Sequence, residues 1–538
     1  MTIKNLIKNI SWKDWLFLIG MAFLVILATT VPYFYGYSKA NENTYFLAIP
    51  SLNEFDYPNY FSYIEQVRQG HFLFEDYYTT EAQPRVILNL FFLALGLIAK
   101  FSHLSAIAIF HLVRVFLIPI FIFVFYLFLK FLFQEKIKQK ICLILICFSS
   151  GWGFILYSLS SIYKQSMDLW VPEAVTFLSF YTNPLFIFSL TLIVLIFFLM
   201  LLSAVNKNYR YAIAAGLVGL ILFQIHPYHL PTVFSVLIVF WLIICLREKK
   251  INWLFFKYGL IFFFLSLPPV LYYYWLSSSH WLTVHRISQA TPAGLTPPFW
   301  PFLISYGLLW PLAFVGIYPV VKNKKKYISV FLPVWLITHI ILVYLPFPLQ
   351  RKLTEGLHLV LCLMATEGIF FIWQKIKEKK IFKFFKNKFL FYVLFLFFFS
   401  LSNVFILSKD IFLFSDPGFS LPKKAMEPML WLKNNSSEDA KVLSVKNLYL
   451  HNLIPAFSVR KVFAGHSFET AYYQNKIKEI DWFFNTNIND DEKEKFLKKN
   501  GLNYILFYKN GNYSFRPNEK KYLKLVFENE LINIYQNQ

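Results

Sequence analysis

A run of about 20 apolar residues crosses the hydrocarbon core of a bilayer as a helix, and this chain has many such runs, among them Trp15–Tyr37, Tyr181–Ala204 and Phe389–Leu407. Within that core each backbone N–H and C=O has to be satisfied inside the segment itself, so an α-helical polytopic membrane protein is expected. A mean hydropathy of +0.49, with 57% hydrophobic and 15% charged residues, excludes an ordinary soluble protein of 538 residues.

Two kinds of loop alternate between the apolar runs. One kind is short and cationic: Lys136, Lys138 and Lys140; Lys207 and Arg210; Arg247, Lys249 and Lys250; Lys322 and Lys324 to Lys326; and the run from Lys375 to Lys388. The other carries acids, histidines and aromatics: Asp56-Tyr-Pro-Asn-Tyr60, Asp168-Leu-Trp-Val-Pro-Glu173, His226-Pro-Tyr-His229 and Gln350-Arg-Lys-Leu-Thr-Glu355. The positive-inside rule assigns the first kind to the cytoplasm and the second to the outer face. The net charge of +22 then belongs to topology and anionic lipid headgroups, and no nucleic-acid partner is expected. Cys142, Cys147, Cys245 and Cys362 lie in apolar spans without CxxC spacing and read as buried small hydrophobes.

Parity decides one segment. If both Val86–Lys100 and Ala106–Phe133 crossed, the cationic loops would fall on the wrong side. Segment 84–100 is therefore expected as a non-spanning helix on the outer surface. The spans become 15–37, 105–133, 141–158, 182–204, 211–225, 230–246, 252–275, 300–321, 327–345, 356–374 and 388–407, about eleven in all. The expected layout is a plasma-membrane, multi-pass domain over 1–407, its N-terminus cytoplasmic, with a large first outer loop at 38–104. A soluble extracytoplasmic α/β domain follows over 408–538, after a linker at Asp416-Pro-Gly. In it Met426–Lys433 and Glu492–Lys499 read as helices, Lys441–Val445 and Tyr504–Tyr508 as strands, and Leu523–Phe527 with Leu531–Tyr535 as a hairpin.

Residues 38–83 of the first outer loop hold seven acids against Lys39 and Arg68. Such acids often only solvate a loop, and Glu42 and Glu65 are read that way. Asp56 precedes Tyr60, Ile64 and Val67 at helical spacing, with Gly70 closing the turn. A carboxylate held there can deprotonate a hydroxyl or bind a metal that polarises a leaving phosphate. His226 and His229 flank Pro227 and could hold a metal or a sugar phosphate, although a simple helix break accounts for them more economically. Trp170, between Asp168 and Glu173, offers a ring face to a sugar or sits as an interfacial belt residue. Arg114 and Glu367 fall inside spans, where charge is costly and therefore functional or paired. His466 reads as structural. No Walker loop, Rossmann fingerprint or HExxH motif is present.

The ordered set Asp56-x3-Tyr60-x3-Ile64, Gly70, Asp76 and Pro84 before an apolar helix resembles the first outer loop of GT-C glycosyltransferases, which include protein O-mannosyltransferases and lipid A aminoarabinose transferases. Tyr57 stands where those enzymes often have Glu, and Pro84-Arg85 replaces their proline pair. The motifs Asp168–Glu173, His226-Pro-Tyr228, Leu345–Arg351 and Glu355-Gly-Leu-His358 resemble a bacterial subgroup usually placed with that superfamily. The resemblance implies transfer of a sugar from a polyprenyl-phosphate donor to a glycan, lipid or protein acceptor at the outer face. It implies catalytic roles for Asp56 and Asp76, and donor-phosphate binding by Arg351, Lys352 and Arg114. Sugar or acceptor contacts would fall to Trp170, Glu173, His226 and His229. The cofactor, if any, would be a divalent ion such as Mg2+ or Mn2+, with Asp56 as a candidate ligand. The competing expectation is a non-catalytic translocator or assembly protein for lipid-linked saccharides. That class usually places charge at midplane and shows internal repeats, and this chain shows neither clearly.

Overall fold

The computed structural model describes residues 2–158, 165–290, 294–322, 327–346, 350–376, 397–416, 419–446, 449–486 and 489–538. Lys324 to Lys326, Lys377 to Lys388, Pro348, Pro417-Gly418 and the start of the 388–407 span lie outside these residues. The chain forms two compact units. One comprises Met1–Pro32, His111–Leu276 and Thr291–Asp410; the other comprises Tyr33–Phe110, Ser277–Ala290 and Ile411–Gln538.

Among the described residues, seven helices are long and apolar enough to cross a membrane: Trp12–Lys39, Ala106–Leu132, Lys136–Leu156, Pro184–Asn206, His229–Glu248, Trp253–Ser279 and Gln350–Lys375. Shorter apolar helices cover Tyr209–Ile225, Leu309–Val321 and Ile328–Leu342. The chain is a multi-pass membrane protein. The expected single span 300–321 is instead two helices, Phe299–Ile304 and Leu309–Val321, separated by a turn in which Gly307 takes φ +51°. That conformation strains any residue with a Cβ, so the glycine sets the break.

Within the first unit, Pro184–Asn206 is apolar on every face and is buried nearly throughout, as expected of a helix with no polar stripe. Asn183 caps it by accepting from the Leu185 amide at 2.9 Å, with Pro184 at its first position. It ends at Lys207, in the left-handed region, and Asn208 at once caps Tyr209–Ile225. A hairpin of two helices results. Leu309–Val321 and Leu357–Ile376 pack through glycines. A Cβ on Gly316 would meet the Met364 carbonyl oxygen at 2.0 Å, and one on Gly368 would meet that of Leu312 at 2.0 Å. Close backbone approach of this kind is how helices associate where water supplies no driving force. Glu367, on the same helix, is ion-paired with Lys138 at 3.0 Å, so this charge has a structural partner.

In the second unit, Tyr57–Arg68 forms the expected helix and Gly70 (φ +104°) ends it. It packs on Leu90–Ser102, where the absent side chain of Gly96 admits Val67. Leu90–Ser102 has 13 residues, hence a length of about 20 Å, well short of a bilayer core of about 30 Å. The C-terminal segment builds a five-stranded sheet from β3 (Lys441–Ser444), β4 (Lys461–Val462), β5 (Tyr504–Tyr508), β6 (Leu523–Glu528) and β7 (Ile532–Asn537). Its order is β4-β3-β5-β7-β6, with β3 parallel to β4 and β5, and β7 antiparallel to β5 and β6. Helix Lys423–Asn435 covers one face, around Met429, Val442 and Ile534. Helices Tyr473–Asn485 and Asp490–Lys499 cover the other, around Phe483, Leu497 and Ile505. A further short pair, β1 (Thr44–Tyr45) with β2 (Leu421–Pro422), joins the first loop to the C-terminal segment.

Candidate functional site

In the first unit the site grows from two interruptions of helix. Proline disfavours helical backbone in the residue before it and lacks an N–H, so Tyr209–Ile225 stops at His226 and a new helix begins at His229. The tight turn brings His226 Nδ1 within 2.7 Å of His229 Nε2. The second interruption is the 3-10 turn Gln350–Thr354, which is followed by Gly356 at φ +92°. His339 holds this segment through a 2.6 Å contact with the Leu353 carbonyl, and the Trp335 indole N–H donates to His339 Nδ1 at 3.2 Å.

The two breaks meet at Glu355. Its Oε2 lies 3.1 Å from His226 Nδ1 and 3.0 Å from His229 Nε2, and the Ser189 hydroxyl donates to its Oε1. All three residues are buried. Among the described residues, this is the group of His, Cys, Asp and Glu donors that could hold a metal ion, and Asp56 is not part of it. Burial also pushes the His226 imidazole down to about 4, so that ring is a neutral lone-pair donor at physiological pH.

The same turn carries the basic pair. The Arg351 guanidinium lies 4.4 Å over the Trp170 ring, and the Lys352 ammonium 4.9 Å over Tyr228, the residue between the histidines. One face of Trp170 is thus engaged by arginine. Glu173 is buried beside them: burial raises its carboxyl, while the Lys352 and Arg351 charges oppose that rise. Asp168, two residues before Trp170, is tied to the 153–156 turn. Its Oδ2 accepts from the Gly153 amide at 3.1 Å, and burial lifts its carboxyl to about 6. The unit therefore brings together Trp170, Glu173, His226, His229, Arg351 and Lys352 from the expected set. Arg114 is engaged elsewhere. It donates to the Phe180 carbonyl at 2.8 Å, His111 Nδ1 at 3.3 Å and Thr30 Oγ1 at 3.3 Å, none of which belongs to the 350–355 turn.

In the second unit, Asp56 ends a short 3-10 turn and pairs with His466, Nε2 to Oδ1 at 3.0 Å. The Phe468 amide donates to His466 Nδ1 at 3.2 Å. That leaves Nε2 to carry the proton and donate it to the Asp56 carboxylate. Asp76 is buried and accepts from the Tyr78 amide at 2.8 Å, while Gln83 brackets its backbone from both sides. The Tyr78 phenol, buried between helices, is raised chiefly by burial and further by the charges of Asp76 and Asp56. Other acids of the loop are ion-paired with cations of the C-terminal segment: Glu65 with Lys433 at 3.1 Å, Glu75 with Lys461, and Glu81 with Lys476 at 2.7 Å. Glu65 is thus a buried ion-pair member, and the expectation of a merely solvating acid is corrected. His466 and Glu355 are the partners that local spacing did not reveal.

The fold, a helical membrane unit with broken helix ends joined in one chain to a small mixed sheet, is shared with solved structures of an oligosaccharyltransferase and of ArnT. The archaeal oligosaccharyltransferase AglB from Archaeoglobus fulgidus, in complex with an inhibitory peptide and a dolichol-phosphate, matches with a TM-score of 0.55 at 13% identity, over 93% of this chain and 70% of its own. ArnT from Cupriavidus metallidurans, bound to undecaprenyl phosphate, matches with a TM-score of 0.54 at 10% identity, over 96% of this chain and 98% of its own. A complex of the Archaeoglobus enzyme with Zn and sulfate matches with a TM-score of 0.50 at 12% identity, over 89% of this chain and 68% of its own. At these identities the likeness is one of fold. No protein-family model matches the chain, and no curated protein matches it in sequence.

Proposed function

We propose that this protein is a glycosyltransferase that moves a sugar from a polyprenyl-phosphate carrier to an acceptor hydroxyl at the outer face of the membrane. The observation that carries the reading is the basic pair Arg351–Lys352, each cation laid over an aromatic ring on a turn braced by buried groups. A phosphate leaving group needs such a place. Arginine presents a planar fork matched to two phosphate oxygens, and lysine adds a mobile point charge. The fold, shared with AglB in complex with a dolichol-phosphate and with ArnT bound to undecaprenyl phosphate, supports the same donor class.

In the proposed reaction the acceptor oxygen attacks the anomeric carbon and the carbon–oxygen bond to the lipid phosphate breaks. The electron pair leaves on the phosphate, and inversion at carbon follows from a single displacement. Asp56 takes the hydroxyl proton as general base, its carboxylate held in place by His466. Asp76 positions the turn that bears Tyr78. Arg351 and Lys352 meet the charge that grows on the departing phosphate. Trp170 and Glu173 border the sugar. In this reading the N-terminus is cytoplasmic and the segment 408–538 lies outside, because the basic loops then face inward together.

Removing the gene tests this in cells. Mass spectrometry of surface glycans, glycolipids and glycoproteins is expected to show one class lacking a defined sugar, restored by the intact gene. An unchanged glycan profile across all three classes would contradict the reading.

A further inference from the structure

We infer that His226, His229 and Glu355 form a site for one divalent cation of the zinc class, tying the 226–229 turn to the turn that carries Arg351 and Lys352. The inference is independent of the transferase reading. Three electron-rich atoms converge here, with edges of 2.7, 3.1 and 3.0 Å. A triangle with edges of 2.7, 3.1 and 3.0 Å has its centre roughly 1.7 Å from each corner, so bonds of ~2.0–2.1 Å reach an ion resting just off the plane.

Protons alone serve this cluster poorly. His229 Nδ1 is buried with no hydrogen-bond partner among the described residues. If Nδ1 carries the ring proton, bare Nε2 faces a carboxylate oxygen and a second imidazole nitrogen, and lone pairs oppose one another. If Nε2 carries it, the Nδ1 lone pair is left buried and unsatisfied. With Nδ1 protonated, a shared cation takes up the Nε2 lone pair and removes that repulsion, while Nδ1–H keeps no partner among the described residues. The Ser189 hydroxyl, by donating to the other carboxylate oxygen, orients Glu355 as an outer-shell group orients a metal ligand.

The donor set chooses the ion. Two imidazoles and one carboxylate suit zinc and leave a further coordination position open, whereas Mg2+ prefers octahedral oxygen. This cluster is separate from Asp56, the candidate ligand of the expected Mg2+ or Mn2+ ion. Tyr228 sits between the two histidine ligands and under Lys352, and Glu355 lies three residues beyond Lys352. The ion would thus hold the basic turn in register with the 226–229 turn.

The test is metal content of the full-length chain, purified in detergent through a tag without histidines and read by inductively coupled plasma mass spectrometry. About one equivalent of zinc is expected in the native protein, retained in His285→Ala. In Glu355→Gln and His229→Ala, each lacking one of the three protein ligands, the zinc content is expected to fall well below one equivalent. Because a variant can misfold, the native protein is also exchanged with Co2+, and intense visible bands of a four-coordinate nitrogen–oxygen site are expected. A metal-free native chain that takes up neither Zn2+ nor Co2+ would overturn the site. So would iron in place of zinc, or zinc retained in full by a folded His229→Ala variant. None of these readouts involves sugar transfer, so failure here leaves the reading of the basic pair to its own experiments.

Discussion

Arg351→Gln is expected to lower kcat/KM for the lipid-linked sugar by about 10²–10³-fold, the usual loss when one preorganised stabiliser of developing charge is removed, or about 2.7–4 kcal/mol. The side chain is well suited to this role. Its guanidinium is preorganised over Trp170 at 4.4 Å, on a turn fixed by His339 and closed by Gly356. Glutamine keeps length and polarity but loses the charge and the fork. The loss should fall mainly on kcat, because the phosphate carries most charge as its bond to the sugar breaks. Arg351→Lys should recover part of it, since a point charge replaces a bidentate grip. Steady-state release of polyprenyl phosphate measures all three proteins. A loss under about threefold in a folded Arg351→Gln variant would remove this residue from the donor site.

Asp56→Asn is expected to reduce turnover by about 10²–10⁴-fold, the span usual for loss of a general base. The substitution is nearly isosteric, and an amide oxygen can still accept from His466 Nε2, so the 54–56 turn should persist. What disappears is basicity. Thermal midpoints of the two proteins should therefore agree while their rates diverge. Full turnover by the asparagine variant would end the proposed role of Asp56.

Both variants probe residues that the sequence displays, but their partners were not legible there. Apolar length alone reveals the spans, since a long uninterrupted apolar run leaves a helix no polar face to turn toward water. Parity of basic loops likewise leads to segment 84–100 as a non-spanning helix, and the helix found there, Leu90–Ser102, has 13 residues. The strands β3, β5, β6 and β7 follow from β-branched and aromatic runs between turn residues. The two-residue strand β4 has no period to detect. The break at Gly307 was hidden because a glycine within an apolar run is also tolerated in a helix.

Pairings across long stretches of chain are a different matter. His466 lies 410 residues from Asp56, and Glu355 lies 126 residues from His229. Nothing local ties either residue to its partner, so His466 reads as structural, and two histidines without a nearby carboxylate read as a helix break. The helix does break at Pro227, and the break itself aims both imidazoles at the carboxylate supplied by Glu355. Glu65, Glu75 and Glu81 follow the same logic. Their neutralising cations are Lys433, Lys461 and Lys476, all in the C-terminal segment. Charge in a loop predicts exposure only when its counter-charge is not brought to it by the fold.

The central claim is that the chain breaks the bond between a sugar and a polyprenyl phosphate. The direct measurement supplies the purified full-length protein with polyprenyl-phosphate sugars carrying a radiolabel in the sugar, together with an acceptor fraction from the cell surface. The account predicts acceptor-dependent release of unlabelled polyprenyl phosphate, with equal label gained by the acceptor with inverted anomeric configuration. A folded protein that binds these lipids yet releases no polyprenyl phosphate with any acceptor fraction would contradict it.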